Sequence, residues 1–261
     1  MAAPSAARIK KSAGPPRPTN AGKASPRRRR AETSDRGAET RARLIAAALD
    51  VFGHKGFEGA STREIATSAG ANLAAIVYHF GGKEELYRAV AEYVVAGIIA
   101  RVASGLGLPT AAGHEVGTGL AAFAARAQGL DPAAAIALLT QVIGTFVDVI
   151  VTVEEGAAWA RFLVREQLDP TSAFDVIYGF MGPAHGLICR LVGMALGKDP
   201  ESLEVKIRAF SILGQGLVFR VAQSLVLRRL GVARLGATEA SELKRVLALQ
   251  VRAILEPGVQ P

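Results

Sequence analysis

The sequence predicts an all-α fold, with a small three-helix N-terminal part and a larger helical C-terminal part. Three observations carry this. Apolar residues recur at three- and four-residue spacing from Glu39 onward, with no convincing strand. Helix starts and stops punctuate the runs, Asp131-Pro132 and Gly197 among them. Half of the 261 residues are hydrophobic and 21% are charged, enough to bury a sizeable core and to exclude a wholly disordered chain.

Residues 1–37 are rich in Ala, Pro, Ser and Arg and read as a disordered tail. Ten Lys/Arg against two acidic residues in 1–36 account for the whole net charge of +8. The body is formally neutral, which excludes a domain that coats nucleic acid over its entire surface. No apolar stretch follows the early positive charges, so no secretory signal is expected.

Leu44, Ile45, Ala48, Leu49 and Phe52 form the apolar stripe of a first helix, and Lys55-Gly56 reads as its stop. Ser61-Thr62-Arg63-Glu64 has the spacing of a capping box, a Ser oxygen for an orphan amide and a Glu reaching back. Ile65, Ala66 and Ala69 follow, and Gly70 ends this short second helix. A third runs from about Asn72 to Phe80, where Gly81-Gly82 stops it. Lys83-Glu84-Glu85 opens a fourth that continues to about Ala103. Residues 104–113 read as a Gly/Pro-rich loop.

Further on, Asp131-Pro132 and Asp199-Pro200 read as N-cap plus first-turn proline. Asp169-Pro170-Thr171-Ser172 reads as a turn, and Gly129, Gly197 and Gly231 as helix ends. The count is nine or ten helices. Ala133–Val153 has nearly the length and apolarity of a membrane span. Gln141 and Asp148 inside it favour a buried helix instead.

Two short helices joined by a glycine-containing turn make Ser61–Phe80 a helix-turn-helix candidate, whose second helix would enter a major groove. The surrounding run strengthens this. Thr62-Arg63-Glu64-Ile65-Ala66, Ala69-Gly70 and Ile76-Val77-Tyr78-His79-Phe80-Gly81-Gly82-Lys83-Glu84-Glu85-Leu86 resemble the DNA-binding domain of TetR/AcrR-type regulators. Thr40-Arg41, Leu44-Ile45, Ala48, Phe52 and Gly56-Phe57 are similar to that family's first helix. A second resemblance joins Asn72–Ile76 and Phe162–Thr171 to the CecR branch.

The resemblance implies a DNA-binding domain over 38–98 and an effector-binding, dimerising domain over 99–261. It implies a cytoplasmic, nucleoid-associated homodimer that represses transcription and leaves double-stranded operator DNA when a small-molecule effector binds. Residue by residue, it places the Thr62 hydroxyl, Tyr78, His79 and Lys83 on the DNA backbone, chemistry suited to phosphate. Arg41, Arg63, Asn72, Leu73, Ala74, Ala75 and Val77 complete the expected DNA-binding set. The family's usual Val-Ser before the recognition helix is Ala71-Asn72 here, and its usual glycine is Ala74. Leu73 and Ala75 beside it offer base edges almost no hydrogen bonds. Thymine methyls, Asn72 and DNA shape are therefore the expected means of reading sequence. Arg27–Arg30 reads as a basic arm that neutralises phosphates or enters a minor groove on neighbouring DNA, or as a solvated charge run that aids solubility.

Gln141, Asp148, Arg165, His185, Arg190, Gln215 and Arg220 interrupt apolar helical runs, and Trp159, Phe162, Phe174 and Phe180 offer aromatic walls. An apolar cavity between helices with a few polar groups is the expected effector site. Gln141, Phe162, Arg165, Phe174 and His185 are its candidate contacts. His185 also reads as a satisfied core histidine, and Arg165-Glu166 as a structural pair or cap for the Asp169-Pro170 turn. The resemblance implies dimerisation through the last long helix pair, about Thr171–Leu196 and Pro200–Arg228.

No metal or cofactor is expected, because His54, His79, His114 and His185 are scattered and Cys189 is the single cysteine. No membrane partner is expected. No phosphate loop or nucleophile-base set suggests an enzyme. The alternative reading is an architectural, weakly specific DNA-binding protein driven by the basic tail.

Overall fold

The computed structural model describes residues 26–108, 116–153 and 155–256, with helical side chains described from Asp35 onward except at 116–119 and 152. Among them lie eleven α-helices and no strand. These are α1 (Pro26–Gly59), α2 (Thr62–Ser68), α3 (Leu73–Phe80), α4 (Lys83–Gly105), α5 (Val116–Arg126) and α6 (Pro132–Val147). After them come α7 (Gly156–Leu168), α8 (Ala173–Leu196), α9 (Leu203–Val221), α10 (Gln223–Leu230) and α11 (Ala237–Leu255). A π-helical turn, Asp148–Thr152, extends α6.

The chain divides at Glu39/Thr40 into two units. In the first, α1 begins at Pro26, so 26–37 is helical where a disordered tail was expected. Proline at a first helical position and a following Ala/Glu/Arg composition favour that conformation. Residues 1–25, the rest of the expected tail, lie outside the described residues. So do the Arg27–Arg30 side chains and residues 109–113 of the expected loop.

Several terminators act as the sequence predicts. α1 breaks at Gly56, which adopts φ 73°. Asp131 caps α6 by accepting from the Ala134 amide at 2.7 Å. Gly197 and Gly231 end α8 and α10 in the left-handed region.

Two expectations change. Ser61 accepts from the Glu64 amide, but the Glu64 carboxylate does not reach back. It binds the Lys55 ammonium instead, at 2.7 and 2.8 Å. A charge-assisted contact to the preceding helix displaces the weaker local one. The start expected at Asp199-Pro200 falls three residues later, at Leu203. There Ser202 caps the Val205 amide, while Asp199 accepts from Ser202 and from the Glu201 amide to close the turn. The expected single helix to Arg228 is two, α9 and α10, bent by 76°.

Within the second unit, two cores form. The first joins α1, α2, α3 and the front of α4 to Trp159 and Phe162 of α7 and Ala173 and Ile177 of α8. The second joins the rest of α4 and α5 to α6, α8, α9 and α11. The Pro132–Val151 stretch is apolar and long enough to cross a membrane, as is α8. Pro132–Val151 packs inside the second core, and Asp148 in it pairs with Lys244 at 2.8 Å.

Candidate nucleic-acid interface and effector cavity

α2 and α3 meet through Ala69, Gly70 and Ala71, where the Ala71 amide donates to the Ala66 carbonyl at 2.9 Å. Asn72 caps α3, its Oδ1 accepting from the Ala74 amide at 3.0 Å. Capping fixes the entry angle of α3 and occupies that oxygen. The side-chain NH2 of Asn72 remains on the exposed surface.

Only Ile76 of α3 is buried. Leu73, Val77 and Tyr78 are 43, 63 and 84% exposed, an apolar face that the protein itself leaves uncovered. Tyr78 and His79 meet edge to face at 4.9 Å. Tyr78 therefore does not help to close the small core. Ile65 and Leu86 are fully buried and Phe80 partly so, as their apolar register predicts.

The expected backbone contacts surround this face. Thr62 opens α2, and Lys83 opens α4 with its ammonium 4.6 Å from the Phe57 ring. Arg41 lies over Phe80 at 5.2 Å. Arg63 is exposed on α2. No carboxylate among the described residues pairs with Arg63 or Lys83. The arrangement presents cations, a hydroxyl and two ring donors around a small apolar helix, which suits a groove flanked by phosphates.

Behind this surface, Tyr87 of α4 packs against Phe52, Phe57 and Phe162, with centroids 4.7, 5.1 and 5.0 Å away. Its hydroxyl donates to Glu166 Oε2 at 2.6 Å. Glu166 is fully buried, and its other oxygen accepts from the Thr171 amide and hydroxyl at 2.7 and 2.9 Å. Burial and the neighbouring carboxylate push the Tyr87 hydroxyl above its ordinary range, so it stays a donor. Glu166 is thus the cap of the Asp169-Pro170 turn and the tie between α4 and α7. Sequence reasoning reached the cap but missed Tyr87, because nothing local links residues 79 positions apart.

Between the two cores lies a cavity of about 410 Å³, bounded by α4, α5, α6, the π turn, α7, α8 and α9. Its wall is almost wholly apolar. Val95, Ile98, Ile99 and Val102 of α4 form one side, facing Trp159 and Phe146 among others. The polar side chains of the wall are His185, Gln167 and the indole N–H of Trp159. That N–H is buried without an acceptor. Burial lowers the His185 pKa, which keeps the imidazole neutral.

Of the five candidate contacts, the structure brings only His185 into this wall. Phe162 is consumed by the first core. Arg165 donates to the His54 carbonyl at 3.1 Å, and Gln141 accepts from Arg126 at 3.0 Å. Phe174 stacks on Tyr178. The first three point to neighbouring helices and Phe174 lies along its own, because helical register decides facing and polarity alone does not. Trp159 does line the cavity. Phe123, Phe146, Phe210 and Gln167 were missed; an apolar wall residue reads like any core residue.

α9 and α8 also leave an apolar face open. Leu203, Ile207, Phe210, Leu217, Val218 and Val221 follow one another at helical spacing and are 39–74% exposed, with Tyr178 on α8 at 66%. Ile188, Leu191, Val192 and Ile212 from the same pair are buried within the chain. Phe210 and Leu217 belong both to this face and to the cavity wall.

Similarity to known proteins follows the same division. The family model "Bacterial regulatory proteins, tetR family" matches residues 44–90. The model "HTH-type transcriptional dual regulator CecR, C-terminal domain" matches residues 135–257. The chain is 28% identical over 228 residues to the HTH-type transcriptional dual regulator CecR of Shigella flexneri, covering 85% of this chain and 93% of that protein. It is 40% identical over 67 residues to the HTH-type transcriptional repressor NicS of Pseudomonas putida, covering 26% of this chain and 30% of that one. Among solved structures, a TetR-like transcriptional regulator from Rhodococcus sp. RHA1 superposes with TM-score 0.55 at 18% identity, over 82% of this chain and 96% of that chain. PfmR of Thermus thermophilus, a TetR family regulator, gives 0.53 at 14% identity, over 84% and 96%. These two likenesses show the fold.

Proposed function

Because the chain belongs to the TetR family of helix-turn-helix transcriptional regulators, we propose that it is a homodimeric repressor released from operator DNA by a small apolar effector. The observation that carries this reading is α4. Its first residue, Lys83, stands beside α3, and its Val95–Val102 segment walls the cavity. A ligand that alters the wall therefore acts on the element that sets α3. It shifts the equilibrium only if it binds the DNA-free arrangement more tightly. Operator must then weaken effector binding by the same factor.

Dimerisation is supported by the open face of α8 and α9. A single α3 reads one half-site, and a second copy placed on this face supplies the other. Phe210 and Leu217 would then be covered by the partner, so pairing also closes the cavity.

The test is a fluorescence-anisotropy titration of the full chain. The probe is DNA upstream of its own gene, with scrambled DNA alongside at one near-physiological salt. Preference of about a thousandfold is the expected result. Equal binding to both overturns specific recognition and favours a tail-driven architectural role. Replacing operator thymines by uracil should weaken binding where Leu73, Ala74, Ala75 or Val77 meets a methyl; unchanged affinity at every position removes that part of the reading.

A further inference from the structure

α8 runs from the first core to the second. Ala173 and Ile177 are buried in the first, and Leu187, Ile188, Leu191 and Val192 in the second. Between Ile177 and Leu187 no residue of the helix is buried. This stretch holds Gly179, Gly182, Pro183 and Gly186 within eight residues. Glycine and proline are the two poorest helix formers. Pro183 also lacks the N–H that would donate to the Gly179 carbonyl, so one bond of the helical ladder is missing.

The packing within the chain asks for neither Gly179 nor Gly186. A Cβ on either would meet no neighbouring atom within 4 Å, and one on Gly182 would make an ordinary contact with the Tyr178 ring at 3.6 Å. Gly182 does relieve the crowding that a Cβ before a proline brings. Helices kink at prolines and glycines, and segments with few buried contacts open most readily. α8 is thus weakest at its middle.

That middle lies on the cavity, where Met181, Ala184 and His185 form part of the wall. The front of α8 lies against the DNA-binding helices. Ser172, just before α8, donates to Glu84 Oε1 at 3.0 Å, in the first turn of α4 and next to Lys83. The weak segment therefore stands between the chamber wall and a tie to the start of α4.

We propose that residues 179–186 are a hinge. When the cavity fills, α8 bends there. Its front half, residues 173–178, then shifts with the start of α4, while residues 187–196 stay seated in the second core. The inference rests on the reading that the cavity governs α3, and it adds to α4 the element that yields.

Straightening the segment tests this. Gly179→Ala, Pro183→Ala and Gly186→Ala are combined in one full chain, and none of the three positions lines the cavity. This chain should melt at a higher temperature and bind operator within about threefold of the unaltered chain. Ala160→Phe fills the cavity with a side chain of the protein itself. Alone it should weaken operator binding about tenfold or more, and in the straightened chain less than about threefold. Hydrogen exchange gives an independent reading. Ala160→Phe should speed exchange of the 179–186 amides about tenfold, and not in the straightened chain.

A straightened chain that loses operator about tenfold on Ala160→Phe overturns the hinge. So does one that melts lower or sediments as a smaller species, which would assign the glycines to close contact with a partner copy. Should Ala160→Phe fail to fold, Ala160→Leu takes its place. If the filled chain binds operator as before, control of α3 by the cavity fails, and exchange alone decides the hinge. Faster exchange at 179–186 then supports a hinge without that output, and unchanged exchange overturns it.

Discussion

The two cores of this chain solve opposite problems. The first is aromatic where it backs α3 and is tied by a buried Tyr87–Glu166–Thr171 network. The second is mostly aliphatic, and where the two meet they leave a cavity of about 410 Å³. Interiors normally pack without voids of this size, because lining atoms lose their dispersion partners. Filled packing under α3 holds that helix in one geometry. The cavity beside the Val95–Val102 segment of α4 leaves room for a ligand there. On the proposed function, the first region holds a shape and the second changes it.

Substitutions in each core put this contrast at risk. Phe162→Ala should be the most damaging change, costing about 3–5 kcal/mol in chemical denaturation, because a filled aromatic site becomes a void. A cost under about 1 kcal/mol would mean that the first core is loose. Tyr87→Phe removes one donor from a buried carboxylate and should cost about 1–3 kcal/mol. Filling the hollow should act in the other direction. Ala160→Leu, on the cavity wall, should stabilise the free protein by about 0.5–2 kcal/mol, seen as a higher melting temperature.

Tyr78→Ala should leave stability within about 0.5 kcal/mol, because the side chain is 84% exposed. It should weaken operator binding by about 1–2 kcal/mol, roughly tenfold, in anisotropy. The smallest effect concerns pH. Burial holds the His185 pKa below its ordinary value of 6.5, so the unfolded chain takes up a proton first as pH falls. Stability should therefore decline below about pH 6.5, and His185→Gln should remove that part of the decline. An identical melting profile from about pH 7 to pH 5 in both chains would contradict it.

Much of this was legible in the sequence. Local chemistry announced α2, α3, the cap at Asp131 and the glycine ends, since caps and left-handed glycines act within a few residues. The exposed face of α3 was legible because Tyr78-His79 and Lys83 sit in a contiguous run. The cavity wall was not. Phe162 and Trp159 are three apart on α7 and both belong to the first core, yet only Trp159 also lines the chamber. That difference comes from which helix passes opposite, a long-range fact. Asp199 misled because Ser202, three residues on, offered a second cap with a longer helix behind it.

If the state of the cavity governs the DNA affinity of α3 through α4, a permanently filled chamber must loosen the grip on operator. Ala160→Phe fills it, and anisotropy compares its operator affinity with that of the unaltered chain. Circular dichroism and the melting temperature confirm that both are folded. Operator affinity should fall by about tenfold or more, with α3 itself untouched. A folded Ala160→Phe chain that binds operator as tightly as before would contradict control of α3 by the cavity.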